Sequence, residues 1–215
     1  MDIALIGGHG KVALLAAPLL VEAGHTVHSV VRDPAHVEEV EATGATAVLS
    51  DIETLDAGGW DELLRGRDAV VWSAGAGGGN PQRTRAVDQD AAIASMEAAQ
   101  RVGAERFVMV SYFGASLDHG VPESEPFHAY AEAKARADEH LRGTELAWTI
   151  LAPSRLTLEE PTGRIDVDAA EAGEVSRGNV ARAIVAALAQ PGTTGRFLAF
   201  NDGEQEIAEA FGAVS

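Results

Sequence analysis

Apolar and polar positions along this chain follow two alternating rhythms. Short apolar runs of four to seven residues recur, each closed by glycine or a polar turn: Ile3–Ile6, Thr26–Val31, Ala45–Leu49, Asp68–Trp72, Arg106–Val110, Glu145–Leu151 and Arg196–Phe200. Unbroken runs of this length predict strands covered on both faces. Between them the apolar residues fall at helical spacing. An alanine- and leucine-rich helix is expected from Gly10 to about Ala23, kinked where Pro18 removes the hydrogen bond to Leu14. Further helices are expected over His36–Thr43, Trp60–Leu64, Pro81–Val102, His128–Arg142, Ser176–Leu188 and Glu204–Phe211. Val87, Ala91, Ala94, Ala98 and Val102 make one apolar stripe on the long helix, a face suited to the sheet.

Strand and helix alternate from end to end, which predicts a doubly wound, mostly parallel α/β sheet with helices on both faces. The whole chain, 1–215, reads as a single domain. The exception to the rhythm is Leu156–Glu174, where Gly163 and Gly173 bracket Arg164–Val167 as a small hairpin. That segment is expected to form a small C-terminal substrate lobe or lid, and it and the polar loop Gly114–Phe127 are expected to set the shape of the pocket. In such sheets the ligand belongs at the carboxyl ends of the strands, at the switch point.

Charge narrows the ligand. The formal net charge is −17, a surface that repels nucleic acid and anionic membranes. Neither is an expected partner; a small-molecule substrate is, with the chain as a monomer or homodimer. Val12–Val21 is too short to span a bilayer. There is no cysteine, which excludes disulfides and thiolate metal sites and fits a cytoplasmic location. The turn at Gly7 leaves no room for a leader segment. The seven histidines show no metal-ligand spacing with carboxylates, so no metal is expected.

Against that background the glycine turn Gly7-Gly8-His9-Gly10-Lys11-Val12-Ala13 stands out. It joins a buried strand to a helix. Gly7 permits a tight turn, Gly10 lets the backbone approach an anion, and Ala13 allows close helix–strand packing. The amides of the helix N-terminus then face a pyrophosphate. Strand two ends in Arg32-Asp33, where an arginine accepts the 2′-phosphate of NADP and an acid selects NAD. Arg32 comes first, so NADP is the expected cofactor, with NAD the alternative. Asp51 and Ile52 are placed to meet adenine, and Ser73, Ala74 and Gly75 open a run of small residues on which a ribose can lie.

Ser111, Tyr130 and Lys134 are the candidate catalytic groups. Tyr130 and Lys134 stand four residues apart on one helix face. An ammonium there is expected to lower the phenol's pKa, so that the tyrosine exchanges a proton with a carbonyl oxygen. Ser111 is expected to hold the same oxygen, while hydride comes from the cofactor.

These residues together resemble the atypical short-chain dehydrogenase/reductases of the NmrA-like, NAD(P)-binding class. The likeness runs through the Gly7–Ala13 turn, Val31-Arg32-Asp33, Ser50-Asp51-Ile52, Arg106–Ser111, Tyr130-x-x-x-Lys134, Leu146–Leu151 and Ser176–Ala181. It implies a Rossmann sheet, bound NAD(P), Tyr130 as acid/base and Lys134 on the nicotinamide ribose. The family's Arg-Pro-Gly after the sixth strand is replaced by Ala152-Pro153-Ser154, with Pro153 keeping its place beside the cofactor. The reading is an NADP(H)-dependent oxidoreductase acting on a small carbonyl or quinone, or on the matching alcohol. A non-catalytic redox sensor and a nucleotide-sugar epimerase are the alternatives.

Overall fold

The computed structural model describes residues 1–77, 79–167 and 169–213. Gly78 of the glycine run, Asp168 of the 156–174 lobe, and Val214 and Ser215 lie outside the described residues. The elements in chain order are β1 (Asp2–Ile6), α1 (Lys11–Glu22), β2 (Thr26–Val31), α2 (Val37–Glu41), β3 (Thr46–Leu49), α3 (Ala57–Leu64), β4 (Ala69–Trp72) and α4 (Pro81–Thr84). Next come a π-helical stretch (Arg85–Ala91), α5 (Ala92–Val102), β5 (Arg106–Val110), α6 (His128–Arg142), β6 (Ala147–Pro153), β7 (Arg155–Thr157) and β8 (Arg164–Val167). The chain closes with β9 (Glu174–Ser176), α7 (Arg177–Ala189), β10 (Arg196–Asp202), β11 (Gln205–Glu206) and α8 (Ile207–Gly212).

The main sheet has nine strands in the order β11-β8-β10-β6-β5-β4-β1-β2-β3. From β3 to β10 every pairing is parallel. The order reverses between β1 and β4, which opens a crevice at their carboxyl ends. This is the doubly wound Rossmann arrangement. Successive residues of the central strands serve opposite cores. Ile3, Leu5, Ala69 and Val71 pack on the α1–α7 side, while Ala4, Ile6, Val70 and Trp72 pack on the α3–α5 side. Burial on both faces is why these strands read as unbroken apolar runs. Each fully buried Ile or Leu contributes roughly 1.5–3 kcal/mol to the fold.

Two local expectations are revised. Arg164–Val167 does not fold back on itself; it joins the sheet edge antiparallel to β10, with Phe200 opposite Val167. The expected long helix over Pro81–Val102 carries a π-helical stretch, which turns Asp88 inward among buried Val87 and Ala91. Helix α1 runs through Pro18, which faces solvent, to Glu22, close to the expected end.

The β1–α1 turn is fixed by backbone proximity. Gly7 has φ +82°, and a Cβ on it would lie 2.6 Å from the Cα of Ala74. A Cβ on Gly8 would lie 2.6 Å from that of Ser29, itself wholly buried in β2. Gly8→Ala must therefore push β2 aside, and is expected to lower stability by about 1–3 kcal/mol, read by urea unfolding. An unchanged midpoint would show that the turn has slack.

Candidate functional site

The crevice at the switch point is a cleft of about 370 Å³. Of the residues expected to bind cofactor, Gly7, His9, Gly10, Arg32, Asp51, Ile52, Ser73, Ala74 and Gly75 line it. The remaining walls include Asp33, His36, Glu53, Arg83 and Val87. Gly8 and Val12 are buried behind the turn, and Lys11 is exposed at the helix start. Pro153 is buried at the end of β6, where its carbonyl accepts the amide of Phe113 at 2.9 Å.

The turn spends some of its amides on itself. Gly8 donates to the carbonyl of Val30 and Gly10 to that of Gly7, each at 2.8 Å. The amides left for an anion are those of the first helical turn, Lys11, Val12 and Ala13, which precede the helical ladder. A Cβ on Gly10 would come within 3.1 Å of the Gly7 carbonyl, so the loop is as bare as a pyrophosphate requires. Further along the cleft, the His9 ring stacks on His36 with centroids 3.5 Å apart and planes 5° from parallel, and Nε2 of His9 lies 2.7 Å from Glu39. At its outer end Glu53 Oε1 accepts from Arg32 Nη1 at 2.6 Å and from Arg83 Nε at 3.0 Å. Two guanidiniums thus share one carboxylate at the cleft, whose lining also carries Asp33 and Asp51. These features fit a dinucleotide phosphate.

The three candidate catalytic residues come together beyond the inner end, but not as expected. Lys134 is only 1% exposed. Its Nζ donates to the carbonyl of Val110 at 2.7 Å and to Met109 Sδ at 3.4 Å. Ser111 Oγ donates to Asp138 Oδ2 at 2.5 Å, so its hydrogen is committed to a buried charge-assisted bond. Both side chains are thus engaged with groups of the protein itself. Tyr130 packs its ring against Tyr112 and Phe127, at centroid distances of 5.6 and 5.3 Å.

Two acids complete this inner cluster. Asp88, brought in by the π-helical stretch, accepts the amide of Ala76 at 3.0 Å through Oδ2. Asp138 lies one turn beyond Lys134 on α6 and is fully buried. Asp88 Oδ1, Asp138 Oδ1 and the Tyr112 hydroxyl are sealed from solvent without hydrogen-bond partners. Burial raises the pKa of both carboxyls, against the pull of Lys134. Burial lowers that of Lys134, against the two acids. Burial also raises the Tyr130 phenol well above its ordinary value, and Asp88, Asp138 and Tyr112 push it the same way. The expected lowering by Lys134 is therefore not found: burial dominates at the phenol, the carboxylates add to it, and the ammonium is turned to a backbone carbonyl.

Asp138 was legible from its spacing, four residues after Lys134. Asp88 gave no such signal, because a regular helix over Pro81–Val102 offers no reason to bury an acid. Glu53 and Arg83 meet Arg32 only through folding. Among the described residues no cluster of His, Asp and Glu could hold a metal ion. No described helix is long and apolar enough to cross a membrane.

Lys134→Met would leave two buried carboxyls without their cation, a loss of about 3–5 kcal/mol near neutral pH. Without the ammonium both acids hold protons more tightly folded than unfolded. Stability relative to the parent then rises as pH falls toward the ordinary carboxylate range. Urea unfolding at pH roughly 8 and 5 is expected to show the deficit shrinking in acid. A pH-independent deficit would mean that Lys134 matters only by packing.

Comparison with known proteins agrees with the geometry. Residues 7–191 match the model of the NAD(P)H-binding family. The chain is 33% identical over 216 residues to a Bacillus subtilis protein named uncharacterized sugar epimerase YhfK, covering 98% of each chain. Among solved structures it superposes with TM-score 0.90 on a Bacillus halodurans protein named provisionally as a NAD-dependent epimerase/dehydratase, at 29% identity and 98% coverage of both chains. It superposes with TM-score 0.88 on the oxidoreductase ylbE of Lactococcus lactis, at 26% identity, covering 98% of this chain and 95% of that one. The likeness spans the glycine turn, the crevice and both cores, and this chain belongs to the NAD(P)H-binding family of Rossmann-fold, oxidoreductase-like proteins.

Proposed function

We propose that this protein is an NADP(H)-dependent reductase of a small carbonyl compound or quinone, with Tyr130 as the proton donor. The observation that carries the reading is the pairing of a phosphate-ready cleft with a phenol held neutral beside it. When bound, the reduced nicotinamide supplies hydride to the carbonyl carbon. Tyr130 gives its phenolic proton to the oxygen as the C=O bond becomes C–O–H, and the phenolate is reprotonated from solvent. A phenol whose pKa is raised resists ionisation but still donates to the far more basic alkoxide. It is a poor base for removing a proton from an alcohol near neutral pH. The direction favoured by this electrostatics is reduction.

Lys134 and Ser111 act in this scheme from beneath the tyrosine. Lys134 balances Asp88 and Asp138, and Ser111 fixes Asp138, so the floor under Tyr130 is rigid. Asp88 holds the Ala76 amide next to the lining residues Ser73, Ala74 and Gly75, and so positions the loop that borders the cofactor.

The relatives named as epimerases suggest a second reading, sugar epimerisation. That chemistry asks a tyrosine to work as a phenolate base, and the acids around Tyr130 work against it.

Two measurements test the proposal. Tyr130→Phe is expected to lower kcat for carbonyl reduction by about 100-fold or more, with the NADPH dissociation constant unchanged. Full turnover in this variant would remove the tyrosine from the mechanism. Fluorescence titration of the parent protein is expected to favour NADPH over NADH, and Arg32→Ala to abolish the preference. Equal binding of both by the parent would withdraw NADP from the assignment.

A further inference from the structure

We propose that Glu53 sets the discrimination between NADP and NAD, by occupying as a carboxylate the place between Arg32 and Arg83 where a 2′-phosphate binds. The inference rests on the cofactor reading above and adds two residues to it, Glu53 and Arg83. One oxygen of Glu53 serves both guanidiniums, at 2.6 and 3.0 Å. A carboxylate oxygen on two arginines presents the charge and hydrogen bonding of a phosphate oxygen. The three side chains come from the ends of β2, β3 and α4, and all line the switch-point cleft.

The arginines have donors to spare. Arg83 uses Nε on Glu53 and Nη1 on the Ala76 carbonyl at 3.0 Å, which leaves Nη2. Arg32 is bonded through Nη1 and its side chain is half exposed. The other acids of the cleft are engaged locally. Asp33 accepts the Ala35 amide at 2.9 Å and Asp51 the Glu53 amide at 3.1 Å. Glu53 is therefore the acid aimed at the cations.

Two opposed effects follow. Glu53 holds the guanidiniums in place, which favours any anion that takes them over. It also cancels one of their two charges and must share or release them when a phosphate arrives. Repulsion between a carboxylate and a doubly charged phosphate on the same arginines outweighs the ordering of two partly exposed side chains. Glu53 thus weakens binding of a 2′-phosphate while leaving a bare ribose untouched. Arg83 is the second arm of the phosphate site.

The test compares the parent protein with Glu53→Gln, which keeps the shape and the acceptor oxygen, and with Arg83→Ala. Titration with NADPH and NADH at low salt is expected to show Glu53→Gln binding NADPH about tenfold tighter and NADH within about twofold of the parent. Arg83→Ala is expected to lose about tenfold on NADPH alone. Weaker NADH binding in Glu53→Gln would overturn the proposal, since Glu53 would then be holding ribose hydroxyls. So would an unchanged NADPH-to-NADH ratio.

A second arm separates this inference from the cofactor reading. Thermal melting with adenosine 2′-monophosphate, and with adenosine 5′-monophosphate as control, reads the arginine pair without any nicotinamide. If neither dinucleotide binds the parent, the cofactor reading falls. The melting arm then still decides on Glu53: a larger 2′-monophosphate shift in Glu53→Gln supports its role, and an equal shift overturns it.

Discussion

The site depends on how closely two strand ends approach. Gly7, ending the first strand, lies so near Ala74, beyond the fourth, that no side chain fits between them. That contact sits where the strand order reverses, so it sets the depth of the crevice and the position of the first helical turn. The binding amides are fixed by backbone packing alone and need no ligand to order them. Pre-organisation of this kind spends its ordering cost during folding, and leaves the binding energy for the ligand.

The cleft and the cluster beyond it are joined by one residue, Ala76. The carbonyl of Ala76 accepts from Arg83, while its amide donates to Asp88. At the Arg83 end, two partly exposed guanidiniums share the Glu53 carboxylate at an open mouth. At the Asp88 end, two carboxyls, one ammonium and the Tyr112 hydroxyl are shut away from water. Burial pushes the acids up and the lysine down, toward neutrality, and their mutual attraction resists it. The result is a stiff floor under Tyr130 and a phenol that keeps its proton. Motion of the Ser73–Ala76 loop would be felt at both ends, because both hold the same residue.

A lysine one turn from a tyrosine is ordinarily read as the phenol's activator. Here it is better described as the counter-ion of two aspartates. The difference arises because electrostatic influence follows three-dimensional distance and solvation, not helical spacing. Val110 offers a carbonyl at 2.7 Å, and the ammonium takes it. The acids that add to the effect of burial at the phenol come from two helical segments.

The sequence by itself determined the layered α/β architecture, the glycine turn, the strand that ends in Arg32, and the shared helix of Tyr130 and Lys134. Each is a matter of local pattern: apolar runs fix doubly buried strands, glycine fixes a backbone path, and residue spacing fixes a helix face. Only tertiary structure decided that Arg164–Val167 is a sheet edge, since that requires β10 as a partner. It also decided that Asp88 is buried, that Glu53 stands between two arginines, and that Ser111 and Lys134 turn inward. Those are contacts between separate segments, as with Glu53, which lies 21 residues from Arg32 and 30 from Arg83. Charge pairing and desolvation act through space, and nothing in the linear order of residues encodes which groups will share a dry interior.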